Sequence, residues 1–410
     1  MRLGTRSRQR IPVTVPTKSI APCADRPTIF IVAACVFTVR AFLVDLIVRL
    51  TRDYSVTLVA SGLDGEPELQ RTLEGVEFVD ILIARRPAPL TDLSAWIALV
   101  RLFAQRKPTA VVSITPKAGL LTMTAAFIAR VPVRIHAFTG QVWATQKGVA
   151  RGLLRMADTI TAWSASDVLA DSPSQLAFLR QKRVVGQRRG AVLGNGSIAG
   201  VDLAKYRKMP GRYEEMRREI GIAQSSTVFM FLGRLGHDKG ILDLATAFTQ
   251  LATKRPNVYL LVVGPDEEGL SSSINDICVD CLDRVKLVGL VSSSSLWLSA
   301  ADVLCLPSYR EGFGSVIIEA AAMGLPAIAS RIYGITDAIV DGVTGILHTA
   351  GDVNKLREAM MYLTDRPEIR AAMGDAAQTR ARTDFTSAYV LGEWVKYLQD
   401  RVPTIGRGAY

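Results

Sequence analysis

The chain has 410 residues, enough for two or three domains. Its residues are 49 % hydrophobic and 21 % charged, a composition that is typical of a folded globular protein and not of a disordered one. Its five cysteines are too few and too scattered for a disulfide framework. The net charge of +11 is uneven: residues 1–200 hold 26 Lys and Arg against 13 Asp and Glu, which is +13, and residues 201–410 hold 23 against 25, which is −2. The basic half is suited to phosphates or anionic lipid head groups as partners, the alternative being arginines on solvated helix faces, and no recognition motif points to nucleic acid.

The N-terminal residues 1–27 are basic and contain Pro, Ser and Thr, but they lack the continuous apolar core of a secretory signal. We predict a flexible extension here. The apolar run 29–50 that follows is interrupted by Arg40 and Asp45. These charges favour a buried strand followed by a helix over a membrane span.

From residue 28 onward, short apolar strands alternate with amphipathic helices. Strands are predicted at 28–34, 55–61, 77–83, 109–115, 131–137, 159–163, 191–194, 227–232, 259–264, 285–287, 303–306 and 327–330. Helices are predicted at 41–51, 92–106, 119–130, 150–157, 174–182, 240–253, 294–300, 315–323, 353–363 and 386–401. This alternation predicts two doubly wound α/β domains with mainly parallel sheets. Gly, Lys and Pro break the periodicity at 200–211, which divides the chain into domains at 28–200 and 201–385.

In the second half, one strand-to-helix loop carries two cations. Gly233 and Arg234 directly follow an apolar strand, and Lys239 precedes the next helix. The glycine spacing fits neither the dinucleotide fingerprint nor the phosphate-binding P-loop. A guanidinium and an ammonium at the carboxyl end of a strand can together neutralise a diphosphate. The alternative is a pair of exposed loop cations. The acidic cluster 266–268 in the next such loop is predicted to be solvated.

The most informative segment surrounds two glutamates, Glu311 and Glu319. Gly312 and Gly314 between them allow close approach of the backbone to a ligand. Ser315 is the predicted N-cap of an apolar helix, whose free N–H groups would face a phosphate. Glu319, one turn into this helix, could accept two ribose hydroxyl hydrogens, and Glu311 could meet the other end of the ligand. We therefore predict a nucleotide-sugar site; the alternative is two solvated glutamates beside an ordinary loop.

Three segments of the second half together resemble a known family. They are Gly-Arg-Leu-x4-Gly from Gly233, Ala-Asp-Val-x3-Pro-Ser at 301–308 and Glu311-x7-Glu319. They are similar to the nucleotide-sugar domain of family 4 of the retaining GT-B glycosyltransferases, and the likeness covers about residues 225–385. In the first half, segments 114–119, 136–143 and 195–197 are similar to the branch that assembles capsular, O-antigen and exopolysaccharide repeat units.

The resemblance implies a GT-B fold, in which two Rossmann-like domains face each other across a cleft and helix 386–402 completes the first domain. It implies retaining transfer of a hexose or N-acetylhexosamine from a nucleotide sugar, UDP foremost, to a polyprenyl-diphosphate-linked glycan. Neither a cofactor nor a metal ion is implied, and the chain has no Asp-x-Asp motif. The implied place is the cytoplasmic face of the cell membrane, in peripheral contact with its anionic surface.

The resemblance also assigns roles to residues. Arg234 and Lys239 would bind the donor diphosphate, and Glu311 would contact the donor sugar, so that these three form the catalytic set. Glu319 would hold the ribose. The complete implied donor site consists of Gly233, Arg234, Lys239, Glu311, Gly312, Phe313, Gly314, Ser315 and Glu319.

The acceptor site is expected in the first half. Lys117, at a strand-to-helix turn, is the first candidate for a lipid diphosphate; the alternative is a surface lysine near a helix start. Thr139 and Gly140 stand where many relatives have His-Gly, and His136 lies three residues earlier. His136 is interpreted as a strand-end residue with satisfied hydrogen bonds in preference to a catalyst. Helix 119–130 could dip into the membrane interface, but a buried α/β helix is favoured.

Two further functions stay open at this point. A GT-B nucleotide-sugar epimerase would need proton-transfer groups beside the sugar, which the sequence does not place. A catalytically silent GT-B scaffold for polysaccharide assembly is disfavoured by the intact set Arg234, Lys239, Glu311 and Glu319.

Overall fold

The computed structural model of the chain describes residues 26–84 and 87–403. Most of the extension predicted at 1–27 therefore lies outside the described residues. The remainder folds into two Rossmann-like domains, each built on a parallel sheet with helices packed against it, as predicted.

The first sheet contains seven strands. These are β1 (Thr28–Val32), β2 (Ser55–Ala60), β3 (Glu77–Asp80), β4 (Ala110–Ile114), β5 (Val133–Phe138), β6 (Asp167–Ala170) and β7 (Ala191–Val192). They are all parallel, in the order β3-β2-β1-β4-β5-β6-β7, and Phe30 lies opposite Thr57 on one side and Val111 on the other. The helices between them are α1 (Val36–Phe42), α2 (Val44–Leu50), α3 (Pro67–Thr72), α4 (Pro89–Arg106), α5 (Pro116–Ile128), α6 (Gly148–Ser164) and α7 (Pro173–Gln181).

The second sheet contains six strands. These are β8 (Thr227–Leu232), β9 (Val258–Val263), β10 (Val285–Gly289), β11 (Val303–Leu306), β12 (Ala327–Ser330) and β13 (Gly345–His348). Their order is β10-β9-β8-β11-β12-β13, again all parallel, and Met230 lies opposite Leu261 and Leu304. The remaining helices are α8 (Arg212–Glu219), α9 (Ile241–Ala252), α10 (Ser271–Ile277), α11 (Ser294–Leu298), α12 (Ser315–Ala322), α13 (Ile335–Ala338), α14 (Val353–Asp365), α15 (Pro367–Asp384) and α16 (Ser387–Gln399).

Burial of both faces of each sheet explains why the strands are continuous apolar runs in the sequence. Along β1, Ile29 and Ile31 pack into one cluster of buried side chains, whereas Phe30 and Val32 pack into another on the opposite face. Both faces of the sheet are therefore covered, as is usual for parallel sheets. The apolar run 29–50 forms β1, α1 and α2, as expected from its charges. None of the helices in the described part of the chain has both the length and the hydropathy that crossing a bilayer requires.

One predicted strand is wrong. Residues 159–163 continue helix α6, and the strand of this region is β6, a few residues later. The β-branched Thr159, Ile160 and Thr161 favoured a strand, but their tertiary setting overrides that propensity. The hydroxyls of Thr159 and Thr161 donate to the carbonyl oxygens of Arg155 and Ala157, one helical turn back.

Smaller differences concern element boundaries and omissions. The helix predicted at 41–51 is two helices, α1 and α2, which meet at Leu43. The strand β13 and the helices α3, α8, α10, α13 and α15 were not predicted. Most of these are short or polar, and so they lack the apolar period on which a sequence assignment depends.

The last helix returns to the first domain. Val390, Trp394 and Leu398 of α16 join the buried cluster on one face of the first sheet. The indole Nε1 of Trp394 donates to the carbonyl oxygen of Ile198 at 2.9 Å, and Arg401 Nε lies 2.6 Å from Asp167 Oδ1. The C-terminal helix is thus held on the first domain by apolar packing, a hydrogen bond and an ion pair.

Both sheets reverse their strand order at one point, between β1 and β4 in the first and between β8 and β11 in the second. At such a switch point the loops leaving the two central strands diverge, and the crevice between them is where doubly wound sheets bind ligands. In the second sheet these loops are 233–240 and 307–314.

Candidate functional site

The two switch-point loops of the second sheet converge on one cluster of charges. Lys239 Nζ lies 2.6 Å from Glu311 Oε1, and Arg310 Nη2 lies 2.6 Å from Asp238 Oδ2. The backbone N–H of Tyr309 donates to the carbonyl oxygen of Asp238 at 2.9 Å, which ties the loops together. Lys239, predicted to bind the diphosphate, and Glu311, predicted to contact the donor sugar, are therefore in direct contact.

Glu311 is held by two donors. Its Oε1 accepts from Lys239 Nζ and, at 2.9 Å, from Ser308 Oγ. The side chains of Lys239 and Glu311 are only 18 % and 13 % exposed, so the pair is screened less than a surface ion pair. Ser308 and Arg310 were not among the predicted site residues. Arg310 pairs with Asp238, 72 positions away, and such a contact leaves no local pattern.

Arg234 is engaged by acidic partners. Its Nη1 lies 3.0 Å from Glu267 Oε2 and its Nη2 lies 3.8 Å from Asp238 Oδ2. In the same loop, His237 Nδ1 lies 2.6 Å from Glu268 Oε2. All three residues of the acidic cluster are exposed, as predicted, and two of them, Glu267 and Glu268, also contact the loop that follows β8.

The start of α12 differs from the prediction in one residue. The N-cap is Gly314 with φ +79°, a left-handed conformation that favours glycine, and Ser315 is the first helical residue. No side chain hydrogen-bonds to the cap, so the first N–H groups of the helix have no side-chain acceptor there. The N–H of Ile317 donates to the carbonyl oxygen of Gly314 at 2.8 Å, whereas those of Ser315 and Val316 are available to an anion in the glycine turn.

Glu319 is placed one turn into α12, beside Tyr206. Burial raises the pKa of the Glu319 carboxyl to about 7, although a hydrogen bond with Tyr206 and the nearby Lys205 act in the opposite direction. Tyr206 also contacts Ser294 Oγ, at 2.8 Å. A carboxylate with few charge partners is suited to accept hydroxyl hydrogens from a ligand.

Phe313 and Gly233 belong to the predicted donor site through their backbones and not through exposed side chains. The ring of Phe313 is 2 % exposed and packs edge-on against Phe385, with 5.2 Å between ring centroids. Only its backbone is presented to the cleft. Gly233 leaves β8, and its N–H donates to the carbonyl oxygen of Val263.

Gly312 brings the first domain onto the donor loop. A Cβ atom at this position would lie 2.6 Å from Asp171 Oδ2 and 2.8 Å from the backbone nitrogen of Gly140, and it would also meet the carbonyl carbon of Thr139. Only glycine allows this approach. Ser172 Oγ donates to the carbonyl oxygen of Gly312 at 3.4 Å. Thr139 and Gly140 thus lie beside the predicted donor site.

His136 is not in this contact. It is fully buried in β5, its Nδ1 lies 2.8 Å from Ser113 Oγ, and desolvation lowers its pKa to about 3. A Cβ at Gly119 of α5 would collide with the imidazole ring. The side chain therefore faces the interior under α5 and cannot contact an acceptor directly. The prediction that its hydrogen bonds are satisfied is confirmed for Nδ1 only, because no partner of Nε2 is found among the described residues.

Lys117 lies at the first turn of α5, where its Nζ is 2.6 Å from Asp92 Oδ1 of α4. The side chain is 22 % exposed, which leaves part of it accessible at the carboxyl end of β4. Its role toward a lipid diphosphate stays a prediction. In the described residues no group of three or more His, Cys, Asp and Glu is arranged as a metal site.

Asp171 is a site residue that the sequence analysis missed. It directly follows β6, lies against Gly312, and is 9 % exposed. Burial raises the pKa of its carboxyl to about 7. A single aspartate after a strand carries no signal of this kind, because the burial arises only when the donor loop packs over it.

We expect the change in the free energy of unfolding caused by Asp171→Asn to be more stabilising at pH 8 than at pH 4. The difference between the two pH values should be on the order of 1–3 kcal/mol. The folded-state pKa is raised, so between the unfolded pKa and about 7 only the unfolded state loses its proton. The free energy of unfolding of the parent therefore falls across this window, and the amide removes that loss. Denaturant unfolding at both pH values measures it.

The control for this measurement is Asp276→Asn, at an exposed position on α10. The lowered pKa of His136 gives the opposite pH slope in parent and variants alike, and so it cancels in the comparison. An Asp171→Asn effect that is equal at pH 4 and pH 8 would contradict the raised pKa.

Comparison with known proteins bears on the same arrangement. Residues 212–380 match the family "Glycosyl transferases group 1", and residues 37–196 match the "Glycosyl transferase 4-like domain". The capsular polysaccharide biosynthesis glycosyltransferase CapM of Staphylococcus aureus is 31 % identical over 314 residues, which cover 76 % of this chain and 82 % of CapM. A D-inositol 3-phosphate glycosyltransferase of Kribbella flavida is 32 % identical over 196 residues, 45 % of each chain.

Among solved structures, that of Anabaena HepE in complex with UDP and glucose superposes with a TM-score of 0.75. The superposition covers 92 % of this chain and 100 % of HepE, at 22 % sequence identity. It extends over both Rossmann-like domains and supports the two-domain fold.

Proposed function

Because the chain belongs to the GT-B glycosyltransferases with group 1 and GT4-like domains, we propose that it builds a surface polysaccharide by transferring one sugar to a lipid-linked glycan. The donor is a nucleotide sugar carrying a hexose or N-acetylhexosamine, and the acceptor is a polyprenyl-diphosphate-linked glycan. The transfer retains the anomeric configuration. The observation that carries this proposal is the meeting of Lys239, Glu311 and the uncapped start of α12 at the switch point of the second sheet.

The donor orientation follows from the chemistry of these groups. Glu319, inside the first turns of α12, takes the ribose hydroxyls, and the N–H groups at the start of α12 take a phosphate. Lys239 and Arg234 complete the neutralisation of the diphosphate, which leaves the sugar beside Glu311. UDP is the proposed nucleotide, and the support for it is that the structural relative HepE was solved with UDP.

Bond breaking is driven by stabilisation of the departing diphosphate. Two cations and a helix N-terminus, fixed before the donor arrives, stabilise the negative charge that develops as the glycosidic bond breaks. A metal ion is not required for this role in the proposed mechanism. When the donor binds, Lys239 exchanges part of its contact with Glu311 for phosphate, and Ser308 continues to orient the carboxylate.

Retention needs the acceptor to attack from the face that the diphosphate leaves. In the proposed path a donor phosphate oxygen takes the proton of the acceptor hydroxyl, so that no separate strong base is needed. The burial of His136 fits this path, because the imidazole is out of reach of an acceptor. Thr139 and Gly140, which pack on the donor loop, border the space in which the acceptor hydroxyl would lie.

Because the proposed acceptor is a lipid, the reaction would take place at a membrane surface. A polyprenyl chain stays in the bilayer, and its diphosphate and first sugars lie at the head groups. We therefore place the protein as a peripheral protein on the cytoplasmic face of the cell membrane. Lys117, which contacts Asp92 at the carboxyl end of β4, is the proposed contact of the acceptor diphosphate.

A thermal-shift series with nucleoside diphosphates, with and without EDTA, tests the proposal first. We expect UDP to raise the melting temperature, since a ligand that binds only the folded state adds RT ln(1 + [L]/Kd) to its stability. A shift that survives EDTA supports metal-free binding. UDP binding without turnover of any UDP-sugar would favour the silent scaffold, and turnover of the sugar without an acceptor would favour an epimerase.

The variant Glu319→Ala sharpens this test. We expect it to weaken UDP binding by roughly 1–3 kcal/mol, or about 5- to 150-fold, because two ribose hydroxyls lose a charged acceptor. Isothermal titration with UDP measures the change. Glu358→Ala, at an exposed position on α14, is the matched control and should bind UDP as the parent does. Unchanged UDP affinity in a folded Glu319→Ala protein would remove Glu319 from the ribose site.

A further inference from the structure

Helix α6 carries an exposed apolar stripe. Val149, Leu153, Met156, Ile160 and Trp163 are 79, 56, 54, 39 and 65 % exposed. Their spacing of four, three, four and three residues places them on one face of the helix. A helix that covers a sheet normally turns such a face toward the core, so this one is reversed.

The opposite face of α6 confirms the reversal. The buried residues of the helix are Asp158, Thr161, Ala162 and Ser164, of which three are polar. Asp158 Oδ2 accepts from the indole Nε1 of Trp143 at 2.7 Å, and the Thr161 hydroxyl donates to a carbonyl of its own helix. The polar groups under the helix are thus satisfied, and the helix is seated in this orientation by specific contacts.

The stripe continues on the two neighbouring helices. The ring of Phe127, at the end of α5, packs against Trp163 with 4.9 Å between centroids. On the far side of α5, Trp96 Nε1 of α4 donates to Thr124 Oγ1 at 3.0 Å. The exposed apolar side chains of these three helices together form what we call the docking surface. They are Leu90, Leu93, Ile97, Phe127, Ile128, Val149, Leu153, Met156, Ile160 and Trp163.

The charges around the docking surface are positive. Lys147 precedes α6, and Arg151 and Arg155 lie on its exposed part, whereas its single acidic residue, Asp158, is buried. Helix α5 has no acidic residue, and the exposed Arg130 follows it. A helix with an apolar stripe and basic flanks is suited to the interface of an anionic bilayer, where the stripe enters the acyl boundary and the cations contact phosphates.

We propose that this surface of α4, α5 and α6 docks on an anionic lipid bilayer. The inference rests on the proposed transfer to a lipid-linked acceptor and identifies the face that meets the membrane. Each of these helices begins near the carboxyl ends of the strands, where Lys117 and the cleft lie. A bilayer against them would therefore hold a lipid diphosphate at the level of the cleft. Helix α5 itself is mostly buried, as its sequence led us to favour, and contributes only its C-terminal residues.

Co-sedimentation with phosphatidylcholine vesicles, with and without phosphatidylglycerol, tests the surface. We expect the full chain to bind the anionic vesicles and to bind them more weakly at high salt. The variant Leu153→Glu/Met156→Glu should lower the partition coefficient at least about tenfold, because it places two charges in the apolar stripe. Val279→Glu/Leu282→Glu, at positions 68 and 45 % exposed in the other domain, is the matched control and should bind as the parent does.

Trp163 gives a second readout that is specific to this face. Anionic vesicles should shift the tryptophan emission of the parent to the blue, and Trp163→Phe should bind equally well but lose most of that shift. Equal vesicle binding by the Leu153→Glu/Met156→Glu protein and the parent would overturn the proposal, and so would an unshifted emission in vesicle-bound parent. Dimerisation of the parent that this variant abolishes, without vesicle binding, would assign the face to a second copy instead.

The UDP thermal shift separates this inference from the proposed function. A Leu153→Glu/Met156→Glu protein that keeps the UDP shift and transfers sugar to a short water-soluble acceptor, but loses vesicle binding, supports the docking surface. If UDP gives no shift in the parent, the proposed function fails, and the vesicle measurement still decides the docking surface.

Discussion

Glu311→Gln is expected to lower kcat for sugar transfer by about 10²- to 10³-fold while UDP binds at least as tightly as it does to the parent. The amide keeps the shape of the side chain and can still accept from Ser308 Oγ, but it removes the negative charge beside the sugar. It also removes the charged partner that holds Lys239 Nζ at 2.6 Å in the free protein. The ammonium is then available to the diphosphate without an exchange of partners.

Opposite changes in the two quantities distinguish a catalytic contact from a structural one. A general loss of folding would weaken UDP binding and turnover together, whereas loss of a group that acts on the sugar affects kcat alone. Single-turnover kinetics with a UDP-sugar, alongside titration with UDP, gives both numbers. Glu358→Gln is the matched control, because Glu358 Oε2 is also held by a lysine, Lys355 Nζ, at 2.8 Å. A Glu311→Gln protein with kcat within twofold of the parent would take Glu311 out of the catalytic set.

Much of the fold could be predicted because parallel strands buried on both faces are continuous apolar runs. The strands β11 and β12 have the bounds that were predicted for them, and the glycine turn before α12 was located correctly. The error at 159–163 arises from the reversed helix α6. The exposed apolar stripe of α6 is the feature on which the proposed docking surface rests, so the propensity rule fails at a segment that has a proposed role of its own.

The candidate site could be predicted as a set of loops, but its contacts could not. Arg234, Lys239, Glu311 and Glu319 were selected from local spacing, and the structure places them around one switch point. The partners that set their electrostatics come from distant parts of the chain. Asp171 reaches the site through β6, and its burial depends on a glycine 141 positions later. No local pattern encodes such a contact.

The double variant Arg234→Ala/Lys239→Ala is expected to lower kcat/KM by about 10³-fold, with each single change costing about 10-fold. Both cations are proposed to stabilise the departing diphosphate, and a charged hydrogen bond lost in a partly buried site is costly. Steady-state kinetics of all four proteins forms a double-mutant cycle. Asp238 contacts both Arg234 and Arg310, so Arg310 can take over part of the role of Arg234. Lys239 can also neutralise part of the diphosphate charge when Arg234 is absent, so we expect the effect of Arg234→Ala to be larger when Lys239 is already absent.

The exposed pair Arg255 and Asp365 provides the control, because Arg255→Ala also removes a cation from an ion pair of the same domain, at 2.7 Å. It should leave kcat/KM unchanged. Lys239→Arg keeps the charge but not the compact ammonium that fits between Glu311 and the loop, so it should restore UDP binding more than turnover. Wild-type kcat/KM in the double variant would show that the diphosphate is bound elsewhere. Additive losses would instead show that the two cations act independently.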